Sequence, residues 1–196
     1  MQHVKAAFPD PMKDAPLAPG TDSMVLAGGC FWCVEAVYQP LHGVISVTPG
    51  YAGDTAATAN YKTVCTGRTR HAEAVKIEYD RSELTPGGIL KIFFSVAHDP
   101  TQIDGQGNDI GPQYRSAIFY RDESQRAIAA AYMDQLQQAG IFSSPLATRL
   151  EPLETFYPAE DYHHNYVQEN PNQPYIACVA MPKVDALRRL YPSMLR

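Results

Sequence analysis

Two adjacent glycines constrain the fold more than any other feature of this chain. Gly28-Gly29 follow the apolar run Met24-Val25-Leu26-Ala27, which reads as a buried strand, and directly precede Cys30. From Cys30 onward Phe31, Val34, Val37, Tyr38 and Leu41 recur at helical spacing, up to Pro40 and Gly43. A strand that turns through two glycines into a helix puts Cys30 at the helix N-terminus. Cys33 then stands one turn further on, on roughly the same face. Helix N-terminal amides and the macrodipole favour an anion by roughly 0.3–1 kcal/mol, so this position predicts a bias towards thiolate at Cys30. Side chains at i and i+3 have Cβ atoms about 5–6 Å apart, whereas a disulfide wants about 3.8 Å. A Cys30–Cys33 bond therefore needs local distortion and is expected to be transient and reducible.

Composition narrows the surroundings of that pair. The chain has 196 residues, 45% hydrophobic and 19% charged, which fits one globular domain and not a disordered segment. A net charge of -5 and the lack of a Lys/Arg run argue against nucleic acid as the main partner. No stretch of about 20 apolar residues is present to span a bilayer, so no membrane partner is expected. The leading MQHVKAAFPDPMKDAPLAPG carries four prolines and lacks the apolar core of an export signal. Four cysteines are too few for a disulfide-stapled scaffold, so the thiols are expected to be reduced and the chain cytoplasmic.

The remaining pattern divides into an irregular arm, residues 1–22, and a single catalytic domain, residues 23–196. Val44 to Tyr51 and Val75 to Tyr79 read as strands, with a polar loop through Asp54, Asn60 and Thr66 between them. Thr85-Pro86 starts a helix carrying Ile89, Ile92, Phe93 and Val96. Residues 99–113 form a Gly/Asp/Asn-rich loop of a length that is usually functional or mobile. Ser116 to Tyr120 reads as a strand, and Asp122 with Gln125 as a capping-box-like start to a helix ending at Gly140. Strands are further expected at Leu146 to Leu150 and Tyr175 to Met181, and helices at Ala159 to Glu169 and Val184 to Leu190. No internal repeat is visible. Strands and helices alternating in one domain predict an α/β or α+β sheet covered by helices.

A C-x-x-C pair has other uses. A structural zinc site needs a second close pair of ligands, but Cys65 and Cys178 stand alone and His163-His164 are adjacent, pointing to different sides of a helix. A thioredoxin-like dithiol exchanger shares the strand-to-helix setting. The strongly apolar Phe31-Trp32 between the cysteines speaks against it, although it stays the alternative function.

Gly28-Gly29-Cys30-Phe31-Trp32 resembles the active-site signature of the A-type peptide methionine sulfoxide reductases. Further blocks match in order: Tyr61 to Gly67 with His71 to Val75, Gly107 to Ser116, and Phe156 to His163 with Asn170-Pro171. The resemblance covers about residue 24 to 183. It implies an α+β fold with a two-layer ferredoxin-like core wrapped by long coil segments. The implied activity is reduction of methionine-S-sulfoxide, free or in proteins, as repair after oxidative damage. No metal or organic cofactor is implied, and thioredoxin is the implied reductant.

Residue by residue, the resemblance makes Cys30 the thiolate that attacks the sulfoxide sulfur and becomes a sulfenic acid. Glu73 is the implied acid that protonates the oxygen, a role that requires burial to hold its proton near neutral pH. Without the resemblance, an exposed strand carboxylate is the commoner fate of a glutamate. Phe31 and Trp32 resemble the wall that receives the methyl group, although two aromatics in a first helical turn also suit plain core packing. Tyr61 and Tyr114 resemble hydroxyl donors to the sulfoxide oxygen, and Asp109 a loop residue that orders the site.

Many relatives resolve the sulfenic acid with cysteines in a C-terminal tail, whereas this chain ends Leu190 to Arg196 without one. Proximity therefore selects Cys33 as the resolving thiol. Cys178, in an apolar run, is expected to be buried and inert, and Cys65 structural. Arg70 stands where relatives typically carry glycine before His71, which points to a different loop path ahead of Glu73.

Overall fold

The computed structural model describes residues 8–196, so residues 1–7 of the expected arm lie outside the described residues. The chain runs β1 (Thr21–Gly28), α1 (Phe31–Tyr38), β2 (Val44–Ala52), α2 (Tyr61–Val64), β3 (Ala72–Asp80), α3 (Pro86–Ile92), β4 (Gly105–Gln106) and β5 (Asp109–Ile110). It continues through β6 (Ser116–Tyr120), α4 (Glu123–Gln138), β7 (Arg149–Pro152), β8 (Phe156–Pro158), α5 (Tyr166–Glu169) and α6 (Met181–Leu190). Six strands form one sheet in the order β7-β6-β1-β3-β2-β8. Its pairs are antiparallel except β6 with β7, which is parallel. The fold is α+β.

Alternation along β3 decides what covers each face of this sheet. Val75, Ile77 and Tyr79 point into the main core with Phe31, Val34 and Val37 of α1, Ile89, Leu90 and Ile92 of α3, and Ile128 of α4. Ala72 and Ala74 face the other way with Ala27, Ala52, Ala117 and Phe119, where Leu153 and Phe156 lie over them. Small side chains on that face let coil approach the sheet closely. Full burial of an aliphatic side chain such as Val75 or Ile77 is worth about 1.5–3 kcal/mol, so this core fixes the register that carries Glu73.

The local signals at α3 and α4 act as their chemistry predicts. Thr85 Oγ1 accepts from Gly88 N at 3.0 Å, ahead of Pro86 in the first turn. Asp122 Oδ1 accepts from Gln125 N at 2.9 Å, and Gln125 Oε1 accepts in return from Arg121 N at 3.0 Å. Residues 8–20 have neither helix nor strand, yet they are packed. Phe8 joins the core, Tyr132 donates its hydroxyl to Pro9 O, and Gly87 N donates to Asp14.

Five segments differ from their expected form. The polar loop after β2 holds a short helix, α2, capped by the Asn60 side chain, which accepts from Thr63 N at 3.0 Å. The loop over 99–113 contains the β4–β5 ribbon, turned through Gly107 at φ 60°. The strand expected at Leu146 to Leu150 is displaced to Arg149–Pro152, because Leu146 N and Ala147 N donate instead to Gln137 Oε1 and Pro100 O.

Ala159 to Glu169 is not one helix. Ala159 N still donates to Pro49 O at the sheet edge, and Asn165 takes a left-handed φ of 55° that separates a 3-10 turn from α5. Tyr175 to Met181 is not a strand either. A π-helical turn spans Ile176–Ala180 and leads into α6, with Pro182, which lacks an N–H, near the junction. Ile176, Ala180 and Val184 are buried at helical spacing, which turns Cys178 outward; the expected buried thiol is exposed.

Gly50 marks where β8 meets β2. A Cβ there would overlap both the Tyr157 carbonyl oxygen and the Phe156 ring. Gly50→Ala is therefore expected to push β8 off the sheet edge and destabilise the protein by about 1–3 kcal/mol, read as a lower midpoint in denaturant unfolding.

Candidate active site

Gly29 makes the turn that opens the site. Its φ of 86° is left-handed, and a Cβ would sit 2.6 Å from the Gln106 side chain, so only glycine fits here. Cys30 follows as the N-cap of α1, its carbonyl accepting from Cys33 N at 3.1 Å and Val34 N at 3.4 Å. Both thiols are buried, Cys30 at 7% exposure and Cys33 at 0%. Cys33 faces away from the sheet, among Val167, Ile176, Ala180 and Val184 of the C-terminal segment.

Glu73, the second residue of β3, reaches up to this helix start. Its Oε2 accepts from Phe31 N at 3.0 Å, and the side chain is 1% exposed. Burial pushes its pKa to about 8 against the lowering effect of that hydrogen bond, with the negative charge of Asp109 adding to the rise. At neutral pH Glu73 is a carboxylic acid.

The thiol pair corrects one expectation about charge. Burial raises the Cys30 pKa, assisted by its hydrogen bond with Cys33 and by the charge of Glu73 when ionised. The helix terminus offers at most about 1 kcal/mol, less than one pKa unit, while full burial moves a group by several units. Burial wins, and resting Cys30 is a thiol. Cys33 is drawn down to about 7, first by the Cys30 hydrogen bond against its own burial, then by the Lys183 charge and the Tyr175 hydroxyl.

An aromatic cluster lies beside the pair. Trp32 stacks on Tyr166 with ring centroids 3.9 Å apart and planes at 7°. Trp32 Nε1 donates to His163 Nδ1 at 3.1 Å, which leaves the proton of the neutral imidazole on Nε2. His163 packs against Tyr61 at 4.4 Å and Phe31 at 5.0 Å. Of the two expected wall residues, Trp32 is half-buried, whereas Phe31 is 1% exposed and belongs to the core. Tyr61 and Tyr114 are half-buried, and burial raises the pKa of both hydroxyls. Cys65 N donates to Tyr61 O at 2.9 Å, so Cys65 adjoins the site instead of standing apart from it.

Carboxylates fix the scaffold around these rings. Glu160 accepts from Tyr61 N at 2.8 Å and from the Tyr51 hydroxyl at 2.7 Å. Arg115, beside Tyr114, binds Glu151 through two 2.9 Å bonds and donates to Arg70 O, tying the loop before Glu73 to that after β5. Arg70 itself needs no left-handed backbone: Asp104 and Asn165 are the non-glycine residues with positive φ among the described residues. Asp109 accepts from the Tyr175 hydroxyl at 2.5 Å, and that hydroxyl lies 4.0 Å from Cys33 Sγ. Among the described residues no group of three or more His, Cys, Asp or Glu is placed to hold a metal ion. Nor is any helix of the described residues long and apolar enough to cross a membrane.

The sequence profile of the family described as "Peptide methionine sulfoxide reductase" matches residues 22–193. The chain belongs to that family. It is 47% identical over 193 residues to Peptide methionine sulfoxide reductase MsrA 2 of Synechocystis sp., covering 96% of this chain and 90% of that protein. To an MsrA of Thermus thermophilus it is 48% identical, covering 87% and 96%. Among solved structures it is similar to reduced Mxr1 of Saccharomyces cerevisiae, with a TM-score of 0.70, 29% identity and coverage of 83% and 92%. It is also similar to methionine sulfoxide reductase A of Corynebacterium diphtheriae, with a TM-score of 0.66, 35% identity and coverage of 79% and 77%.

Within this family member, five site residues escaped the reading of the sequence: Glu35, Glu160, His163, Tyr166 and Tyr175. A charged residue inside the apolar helix Phe31–Tyr38 was the available signal for Glu35. Its buried carboxyl, raised to about 7 by burial, accepts at 3.0 Å from the amide of Asn165, the residue before Tyr166. It thereby holds in place the ring stacked on Trp32, the chain's single tryptophan. Glu35→Ala is expected to destabilise the fold by about 1 kcal/mol and to change the Trp32 emission, because Tyr166 loses its anchor. An unchanged emission spectrum would show that the stack holds without Glu35.

Proposed function

We propose that this chain reduces methionine-S-sulfoxide, free or in proteins, to methionine, and so serves repair after oxidative damage. The observation that carries the reading is a carboxylic acid, Glu73, kept protonated by burial and hydrogen-bonded at the helix start that bears Cys30. A sulfoxide is a poor electrophile until its oxygen gains a proton. Glu73 supplies that proton while Cys30, which shares a hydrogen bond with the more acidic Cys33, passes its own proton across and attacks sulfur. Methionine departs, leaving a Cys30 sulfenic acid. Trp32 and its neighbours Tyr61, His163 and Tyr166 offer an apolar wall for the methyl group, and Tyr61 and Tyr114 offer hydroxyls to the oxygen.

We assign resolution to Cys33. It is one turn away, and the Cys30 hydrogen bond draws its pKa down, so the proton received from Cys30 is readily given up again. Attack on the sulfenic sulfur releases water and forms the Cys30–Cys33 disulfide, which an external dithiol reopens; the family resemblance makes thioredoxin that reductant. A pure dithiol exchanger, the alternative, has no use for a buried acid or for an aromatic cluster beside its nucleophile. No step needs a metal or an organic cofactor.

On architecture, we read the connection β1–α1–β2–β3–α3–β6 and the central strand order β6-β1-β3-β2 as a two-layer ferredoxin-like core. Residues 23–196 are taken as one catalytic domain with 1–22 as its arm. Four free thiols suit a reducing compartment, and we assign the chain to the cytoplasm.

Cys30→Ser is expected to abolish sulfoxide reduction. Cys33→Ser should still release about one methionine per enzyme, yet fail to turn over with thioredoxin. Normal turnover of Cys33→Ser would transfer resolution to another thiol. Activity on the disulfides of insulin, with none on a methionine sulfoxide ester, would favour the exchanger. In the wild-type chain the sulfoxide step should stay fast at neutral pH and fall above about 8, as Glu73 loses its proton.

A further inference from the structure

Tyr175 has no part in the chemistry set out above, although its hydroxyl is placed among the reacting groups. It donates to Asp109 Oδ2 at 2.5 Å and receives the Cys33 thiol at 4.0 Å, a sulfur hydrogen-bond distance. The ring stands edge-on to Trp32, with centroids 6.2 Å apart, and is half-buried. Ile176, the next residue, anchors the segment in the cluster that holds both cysteines. A hydroxyl that accepts from a thiol and donates to a carboxylate has the connectivity of a proton relay.

We propose that Tyr175 is a catalytic residue of the resolving step, carrying the proton of Cys33 to Asp109 as Cys33 attacks the Cys30 sulfenic acid. In that step the Cys33 S–H bond breaks, the Cys30–Cys33 S–S bond forms and the Cys30 S–O bond breaks. The electron pair of the S–O bond leaves with the oxygen. One proton departs from Cys33 and one arrives on the leaving hydroxyl, which becomes water. Tyr175 passes its own proton to Asp109 as it takes the thiol proton, and the pair returns to its starting state when Asp109 gives up that proton to the leaving oxygen. No added oxidant or reductant is needed, since the sulfenic acid already holds the oxidising equivalent.

The placement also separates the two half-reactions. Glu73 lies on the sheet side of α1 and serves the sulfoxide oxygen, whereas Tyr175 comes from the C-terminal segment, which packs on the face of α1 that carries Cys33. The same hydroxyl helps to lower the Cys33 pKa, so its removal should move the pH at which Cys33 becomes reactive.

This inference rests on the reading of Cys33 as the resolving thiol, and the experiment tells the two apart. Wild-type and Tyr175→Phe enzyme are mixed with excess methionine sulfoxide ester in the absence of reductant. Sulfenic acid is followed by trapping with a 1,3-dione, disulfide by loss of a second free thiol per enzyme, and the linked cysteines by mass spectrometry. Tyr175→Phe keeps the ring and its contact with Trp32. It is expected to slow disulfide formation about 100-fold relative to sulfenic acid formation, the lower end of what a positioned proton-transfer group contributes. Trapped sulfenic acid should accumulate, and the pH midpoint of disulfide formation should rise above that of the wild-type enzyme. Equal loss in both steps, or disulfide formation within about threefold of wild type, would overturn the relay. A wild-type disulfide that does not join Cys30 to Cys33 would overturn the underlying assignment instead.

Discussion

The bond from the Phe31 amide to the buried carboxyl of Glu73 joins the two halves of this protein's chemistry. An unionised acid is costly to maintain at neutral pH in water, but here the sheet keeps water out. Val75 and Ile77 fix the register of β3, so the carboxyl is held buried at 1% exposure, and the first free amide of α1 supplies its one strong partner. The helix N-terminus serves mainly to hold the acid, and only weakly to ionise the thiol beside it. That division follows from magnitudes: a terminus contributes less than one pKa unit, and burial contributes several.

Holding a proton in the fold has a consequence for stability. The unfolded chain releases the Glu73 proton near its ordinary pKa of 4.5, while the folded chain keeps it to about 8. Glu73 therefore contributes its full stability below about 4.5, and that contribution is lost as pH rises towards 8. Glu35, raised to about 7, acts in the same direction. The site is assembled at some expense to the fold on the alkaline side, as expected where buried acids are retained for function.

Legibility in the sequence followed the range of the interactions involved. Ser116 to Tyr120, the Thr85 cap and the Asp122–Gln125 start are set by neighbours within a few residues, and each stands where its local chemistry predicts. Cys30, Cys33 and Glu73 stand in short motifs of adjacent residues, and the structure brings Glu73 to the helix start that bears Cys30. Ala159 to Glu169 and Tyr175 to Met181 were misread for a shared reason. Local pattern could neither place the break at Asn165 nor tell strand from helix at Tyr175 to Met181, and both outcomes go with bonds to distant residues: Ala159 to Pro49, Asn165 to Glu35, Tyr175 to Asp109. Those contacts also bring Glu160, His163, Tyr166 and Tyr175 to the site, so the misread segments and the missed site residues are largely the same.

A neutral acid at Glu73 in the resting enzyme at neutral pH is the condition on which the sulfoxide step depends. It is tested most directly by following the carboxyl carbon of Glu73 through a pH titration by NMR of glutamate-labelled protein, with the resonance assigned by its absence in Glu73→Gln. A midpoint near 8 is expected. A midpoint in the ordinary glutamate range, near 4.5, would mean that the carboxyl is ionised when substrate arrives, and the proton for the sulfoxide oxygen would have to come from elsewhere.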